Sequence, residues 1–233
     1  MNTHSDVAVV GGGMVGTATA LACRARGLSV TLFDGGDERS RASYGNAGAL
    51  SRGSIFPVAS PGVMKNIVRY AANRDPGLRI EYRSFARIWP WTRRFLRSAN
   101  EAAWRRAATA LDPFVARAFD AHERLAGEAG ASHLLERKGW IKLFRTEAAF
   151  EGSALERAIL AEHGVTVDLL DGATLADLEP ALVRRYARAM LFPQTGHVRD
   201  PGGLLAAYRA LLLARGGRIE AQRVSALTPE GEG

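Results

Sequence analysis

Three glycines near the start of the chain have the spacing of a turn that binds a nucleotide. Gly11, Gly13 and Gly16 form the pattern G-x-G-x-x-G directly after the apolar run Val7–Val10. In such a turn the first glycine permits a tight bend, the second lets a pyrophosphate approach the backbone, and the third lets the helix pack closely on the strand. Amide groups at the positive end of that helix would face the anion. We predict that these amides belong to Gly13, Met14 and Val15.

A single acidic residue follows at the distance that such a motif requires. Asp34 stands 23 positions after Gly11, at the end of a second predicted strand, 29–33. A carboxylate there can accept hydrogen bonds from the adenosine ribose, and its charge disfavours the 2′-phosphate of NADP. The order strand, helix, strand predicts a parallel sheet. These residues predict dinucleotide binding, with a tight turn that holds no ligand as the alternative, and they do not separate NAD from FAD.

The hydrophobic pattern predicts the elements around this motif. Val7–Val10 is expected to be a buried strand and Met14–Arg26 a helix that ends at Gly27. Between 83 and 130 we expect mainly helix, including one that starts with Asp112 as N-cap and Pro113 as its first residue. The other predicted elements are strands within 139–144, 165–170, 188–193 and 217–227, and helices at 147–163, 173–182 and 201–214.

The segment after Asp34 has no helical period and is rich in glycine and serine. Its sequence RASYGNAGALSRGSIFP is typical of a loop that wraps an extended cofactor. Here the chain resembles the FAD-dependent amino-acid oxidoreductases of the D-amino-acid oxidase superfamily, most closely the D-amino-acid dehydrogenases of small-subunit type. That family carries Ser-x-x-Asn-Ala-Gly at this place, and the segments FPVASPG, GWIKLFRTE and LEPAL follow in the same order.

The resemblance implies both a fold and a set of cofactor contacts. The fold class is α/β (mixed α+β), with a Rossmann-like FAD-binding domain and an inserted substrate domain of helices and strands. The expected boundaries are 1–80 for the first part of the FAD domain, 81–190 for the substrate domain and 191–233 for the continuation of the FAD domain. Because the family's chains continue further, we expect a truncation at the C-terminus. The contacts implied for the flavin nucleotide are Ser43, Asn46, Ala47 and Gly48 along the diphosphate and ribityl chain, and Val224, on a late strand, at the adenine.

The reaction implied by the resemblance is oxidative deamination of an amino acid, with a D-amino acid favoured, by hydride transfer to N5 of FAD. The sequence contains no catalytic triad, metal-binding cluster or reactive-cysteine context. A substrate carboxylate needs a cation, most naturally an arginine. The weak candidates for the substrate site are Arg52, Lys142 and His197, for which a surface charge or a role in a turn is the alternative.

Charge and composition bear on partners and location. The chain has 233 residues and a net charge of +7, with no secretory signal and no apolar run long enough to span a membrane. We therefore expect a cytoplasmic protein that binds no metal and no nucleic acid. The stretch 79–106 holds eight arginines and two acids among aromatic residues. This stretch predicts peripheral contact with a membrane, where a respiratory acceptor would take electrons; the alternative is a charged outer face with its tryptophans in the core.

Two other functions stay open at this point. An NAD-dependent dehydrogenase would use the same glycine motif, but a second strand–helix crossover would be expected after Asp34 in place of the long loop. A fragment that binds a dinucleotide or a partner without catalysis would also carry the motif.

Overall fold

The computed structural model describes residues 4–37, 42–74, 79–182 and 184–228, with the backbone alone at 64 and 65. The chain divides into two compact units. Unit 1 comprises Met1–Leu50, Ala118–Lys138 and Gly196–Gly233, and unit 2 comprises Ser51–Arg117 and Gly139–Thr195. The segment 118–138 thus belongs to unit 1, which contains the glycine motif. The predicted boundaries instead include this segment in the substrate domain, 81–190.

The described residues form nine strands and nine α-helices. The strands are β1 (Val7–Val10), β2 (Val30–Phe33), β3 (Ala49–Leu50), β4 (Leu135–Glu136), β5 (Ile141–Phe144), β6 (Asp168–Asp171), β7 (Arg188–Leu191), β8 (Gly196–Val198) and β9 (Arg218–Glu220). The helices are α1 (Met14–Ala25), α2 (Gly62–Lys65), α3 (Ile67–Ala71), α4 (Phe85–Ser98), α5 (Glu101–Glu128), α6 (Glu147–Glu151), α7 (Ala154–Glu162), α8 (Gly172–Leu178) and α9 (Pro201–Ala214).

The first sheet of unit 1 is parallel, which confirms the predicted crossover. β2 lies between β1 and β9 and pairs with both in parallel, with Val7 opposite Val30 and Thr31 opposite Arg218. Helix α1 packs its buried Leu21 in one core with Leu32 of β2 and Leu204 of α9. Each such side chain stabilises the fold by about 1.5–3 kcal/mol relative to an exposed one.

The strand β1 differs from its prediction as a fully buried strand. Its residues alternate between half-buried and exposed, and Val7 and Val9 pack against the core while Ala8 and Val10 are exposed. The reason is that α1 and α9 pack in one core on the same face of the strand. A short run in which every residue is apolar cannot distinguish one covered face from two.

The second sheet of unit 1 contains a strand that the sequence pattern did not reveal. β8 lies between β3 and β4 and pairs antiparallel with both. Gly196–Val198 is short and contains glycine and histidine, so its sequence has no alternation that predicts a strand. Gly196 is needed because a side chain there would overlap the ring of Phe119.

Unit 2 is built on an antiparallel sheet in the order β5–β7–β6. All three strands were predicted, although β6 begins three residues later than expected. The predicted helix 147–163 is divided into α6 and α7 at Gly152 and Ser153, and Thr146 caps α6 by accepting a hydrogen bond from the Ala149 amide at 3.1 Å. The core includes Met190 and Phe192 with Ile159 and Leu160 of α7.

The predicted helix start at Asp112 and Pro113 is wrong. Both residues lie inside α5, which runs without a break from Glu101 to Glu128. An interior proline costs about 3 kcal/mol, and burial of Trp104 and Ala108 before it in the core of unit 2 offsets that cost. The Asp112 carboxylate does not cap a helix, because it accepts a hydrogen bond from Nη1 of Arg52 at 2.7 Å.

The second Asp-Pro pair does start a helix, as predicted. Asp200 caps α9 by accepting a hydrogen bond from the Gly203 amide at 2.9 Å, and Pro201 is the first helical residue. The helix ends before Gly216, which adopts a φ of 75° in the left-handed region that favours glycine.

A histidine and a tyrosine form a buried polar contact in unit 1. The hydroxyl of Tyr208, which is fully buried, lies 3.1 Å from both the His122 carbonyl oxygen and Nδ1 of the same residue. A tyrosine hydroxyl carries one proton, so while it donates to the carbonyl its oxygen accepts from Nδ1. Burial lowers the pKa of His122 and raises the pKa of Tyr208 to about 12.

The lowered pKa of His122 makes the stability of the protein depend on pH. Below the ordinary pKa of 6.5 the unfolded chain binds a proton that the folded chain resists. The stabilisation that comes from a neutral, buried His122 is therefore complete above pH 6.5. It is lost as the pH falls towards the pKa of His122 in the folded protein. We expect His122→Gln to flatten the acid side of the stability profile, measured by urea unfolding of the full-length protein at about pH 7.5 and 5.5.

The exposed His133 provides the control, because His133→Gln should leave the profile of the parent protein unchanged. An unaltered profile in His122→Gln would contradict the assignment.

Candidate functional site

The glycine turn of unit 1 has the geometry that its spacing predicts. Gly11 adopts a φ of 102°, and its amide donates to the Phe33 carbonyl oxygen at 2.9 Å, so the turn is tied to the end of β2. A Cβ on Gly16 would overlap the Gly11 carbonyl oxygen. The close packing of α1 on β1 therefore requires glycine at position 16.

The N-terminus of α1 offers amide hydrogens to an anion. Gly13 is the N-cap and brings no side chain, and the first turn contains no acidic residue. The first amides of a helix have no partner within the helix and carry a partial positive charge. The Met14 amide donates to Oγ of Ser43 at 3.0 Å, which brings the predicted loop residue to this end of the helix. A hydroxyl that accepts here can still donate its own proton to a phosphate oxygen.

The loop around Asn46 is folded by its own side chain. Oδ1 of Asn46 accepts from the Gly48 amide at 2.7 Å, a local turn that only a short polar side chain can make. Gly48 has a φ of 66°, and a Cβ there would overlap the Val198 carbonyl oxygen. The amide of Val198 in turn donates to the Gly48 carbonyl oxygen at 2.8 Å. Pairing with β8 thus holds the loop in place and leaves Ala47 exposed.

The predicted ribose-binding acid lies beside the glycine turn. The Asp34 amide donates to the Glu220 carbonyl oxygen at 2.9 Å, which fixes the end of β2 against β9. Its side chain is 9% exposed, and Oδ2 accepts from Nη1 of Arg209 at 2.9 Å. A Cβ on Gly12 would overlap both this carboxylate and the guanidinium. The middle residue of the motif must therefore be glycine as well.

Gly12 and Arg209 are the two site residues that sequence reasoning missed. Gly12 had a signal, because it stands in an uninterrupted run of three glycines. Arg209 had no such signal in the sequence, since it lies on α9, 175 positions after Asp34.

Val224 lies in a different local structure from the one expected. The strand β9 ends at Glu220, and Val224 is half-buried in a segment without regular structure, so its placement on a late strand is wrong. The reason is close packing: a Cβ on Gly35 would lie 2.5 Å from the Arg223 amide nitrogen. The chain leaving β9 therefore passes against Gly35, next to Asp34, and ladder pairing stops there.

The two cationic candidates for the substrate site are held by ion pairs in unit 2. Arg52 donates to Asp112 at 2.7 Å and, through Nη2, to the His163 carbonyl oxygen at 2.9 Å. Nζ of Lys142 lies 2.7 Å from each carboxylate oxygen of Glu156. In both cases the charge is met by a carboxylate of the same unit.

His197 is placed differently from these two cations. It belongs to β8 in unit 1, opposite Ala49 of β3 and Glu136 of β4. Its Cε1 would lie 3.3 Å from a Cβ on Gly48, so the imidazole stands beside the cofactor loop. In the part of the chain that the structure describes, no group of His, Cys, Asp and Glu side chains could hold a metal ion.

Comparison with known proteins places this geometry in a family. A family model described as DAO, FAD dependent oxidoreductase, matches residues 6–233. The chain is 32% identical over 228 residues to a D-amino-acid oxidase of Bradyrhizobium diazoefficiens, covering 97% of this chain and 54% of that protein. It is 31% identical over 179 residues to a D-amino acid dehydrogenase of Methylobacterium nodulans, covering 76% of this chain and 42% of that protein.

The solved structures agree on the fold. Glycine oxidase from Geobacillus kaustophilus superposes with a TM-score of 0.59 at 25% identity, over 93% of this chain and 46% of that one. L-proline dehydrogenase from P. horikoshii superposes with a TM-score of 0.63 at 16% identity, over 99% of this chain and 47% of that one. The chain thus spans about half the length of the relatives it matches.

The residues present at the glycine turn fit FAD, and this fit yields a prediction. In the full-length protein, Gly12→Ala would push Asp34 and Arg209 away from the turn. We expect it to weaken FAD binding by about tenfold or more, the cost of a lost charge-assisted hydrogen bond, as measured by quenching of flavin fluorescence.

Gly45→Ala is the matched control, because a Cβ at Gly45, in the cofactor loop, meets open space. Equal affinities for FAD in the two variants would refute the steric argument.

Proposed function

Because this chain belongs to the DAO family of FAD-dependent oxidoreductases, we propose that its protein catalyses the oxidative deamination of an amino acid to a 2-oxo acid and ammonia. A D-amino acid is the favoured substrate, which the names of the relatives from Bradyrhizobium and Methylobacterium support. We further propose oxygen or a respiratory-chain component as the electron acceptor. Unit 1 is assigned to the cofactor.

The observation that carries the proposal is the meeting of the α1 N-terminus with Asp34 in unit 1. The glycine turn and the end of β2 are joined by the hydrogen bond between Gly11 and Phe33. An anion at the helix end and a ribose at the carboxylate would therefore belong to one extended ligand. The residues that we assign to FAD are Gly11, Gly13, Met14, Val15, Gly16, Asp34, Ser43, Asn46, Ala47, Gly48 and Val224.

FAD, when bound, supplies the hydride acceptor at its N5 atom. The protein has to bind and orient the substrate, and a strong protein base is not required when hydride leaves the α-carbon of an amino acid. His197 is the candidate that lies beside the cofactor loop, and we assign it to the lining of the substrate cavity. Arg52 and Lys142 are less suited to a substrate carboxylate, because Asp112 and Glu156 already meet their charges.

The alternatives make different predictions about bound cofactor. An NAD-dependent dehydrogenase is disfavoured by the family match and by the loop 42–61, whose only regular strand in the described residues is the two-residue β3. A binding protein without catalysis would hold flavin that no substrate reduces.

Anaerobic titration of the full-length protein tests the proposal. We expect a yellow protein whose flavin absorbance is bleached by D-amino acids and much less by the L-enantiomers, with release of ammonia. A protein that stays colourless after incubation with excess FAD would contradict the proposed cofactor. Bound flavin that no amino acid bleaches would instead assign a binding function.

We also propose that the protein lies at the cytoplasmic surface of a membrane and docks there through α4. Among the residues that the structure describes, no helix has the length and apolar character to cross a bilayer. Helix α4 is strongly amphipathic and has no buried residue, and Trp89 and Trp91 are 47% and 62% exposed. Its polar positions include Arg87, Arg94 and Arg97. Exposed tryptophans beside arginines suit an interface of anionic lipid.

Sedimentation with anionic phospholipid vesicles tests this docking. We expect the double substitution Trp89→Ala and Trp91→Ala to weaken binding by about tenfold, because two apolar anchors are lost. Trp140→Ala is the control, since Trp140 is also exposed but lies outside α4. The proposal would be contradicted if the parent protein, the double variant and Trp140→Ala bound anionic vesicles equally. It would also be contradicted if the parent protein bound purely neutral vesicles as well as anionic ones.

A further inference from the structure

We infer that Arg209 is a positioning residue that fixes the carboxylate of Asp34 for recognition of the ribose 2′-hydroxyl. This inference rests on the proposed function, because it requires a nucleotide at the glycine turn. Its support comes from the contacts of Arg209 itself.

One nitrogen of Arg209 joins the two parts of the proposed nucleotide site. Nη1 donates to Oδ2 of Asp34 at 2.9 Å and to the Gly12 carbonyl oxygen at 3.3 Å. The two side chains are 19% and 9% exposed, so this ion pair is not an exposed surface contact. The guanidinium thereby ties the end of β2 to the glycine turn.

The backbone of Arg209 belongs to a helix that is capped at its start and packed into the core of unit 1. The preceding residue, Tyr208, is fully buried and contacts His122, and α9 is capped by Asp200 at its start. A guanidinium on a rigid helix loses little freedom when it binds. The helix therefore determines where the carboxylate of Asp34 lies.

The chemistry of the Asp34 carboxylate is what a ribose needs. A carboxylate accepts hydrogen bonds at about four lone-pair positions, and the bond from Arg209 falls on Oδ2. A hydroxyl donor can then bind to a carboxylate whose plane is already set. Preorganisation of this kind increases affinity because the ligand does not have to order the side chain.

The inference can be tested with ADP and 2′-deoxy-ADP as probes of the flavin-free, full-length protein. ADP carries the hydroxyl that Asp34 would recognise, and 2′-deoxy-ADP lacks it. We expect Arg209→Met to raise the Kd for ADP about tenfold, the scale of one charge-assisted hydrogen bond. The Kd for 2′-deoxy-ADP should change less than about twofold, since the 2′-hydroxyl that Asp34 would recognise is missing. Calorimetry measures both constants.

Three further variants separate positioning from general loosening. Asp34→Asn should itself lose the preference for ADP, and adding Arg209→Met to it should change neither Kd, because Arg209 acts through Asp34. Arg209→Lys retains the charge and should restore part of the preference. Arg215→Met, at the end of the same helix, removes a surface pair with Glu128 and should leave both constants unchanged.

The possible failures are distinguishable. If Arg209→Met weakens both probes by the same factor, or adds its effect to that of Asp34→Asn, the inference is overturned while nucleotide binding stands. If the parent protein binds neither FAD nor ADP, the proposed function fails, and the inference fails with it.

Discussion

The structure of the candidate site depends on the close approach of α1 to β1 at the glycine turn. A Cβ on Gly16 would overlap the Gly11 carbonyl oxygen, so the helix can start at this point only if position 16 has no side chain. That approach directs the first amides of α1 towards one end of the parallel sheet. Because the Gly11 amide is bound to the Phe33 carbonyl oxygen, Asp34 follows directly beside the turn. The proposed anion site and the proposed ribose site are therefore consequences of a single packing constraint.

Elements distant in sequence complete this site. α9 brings Arg209 to Asp34, and β8 holds Gly48 and with it the loop that carries Asn46 and Ser43. Both belong to the last part of unit 1, so the proposed cofactor contacts come from the two ends of the described chain. The chemistry needs few charged groups, because FAD brings the reactive atoms and the protein orients them.

The arginine-rich composition has at least two different uses in this chain. In unit 2, Arg52 is held by Asp112 and by the His163 carbonyl oxygen, where it links three segments. In unit 1, Arg209 is a half-buried member of the proposed site. The same residue type thus serves as a structural link and as part of a site, and which one applies is determined by the carboxylate within reach and not by the local sequence.

Local patterns in the sequence predicted the crossover β1–α1–β2, the Asp-Pro start of α9, the strands of unit 2, the cofactor loop and the family, because each depends on residues close together along the chain. Only the tertiary structure decided that Asp112 and Pro113 lie inside α5, that Gly196–Val198 is a central strand, and that β9 ends before Val224. It also revealed the need for glycine at position 12 and the contact between Arg209 and Asp34. These features arise from contacts between residues far apart in sequence, which carry no periodic signal. Pairing partners and steric overlap exist only once the chain has folded.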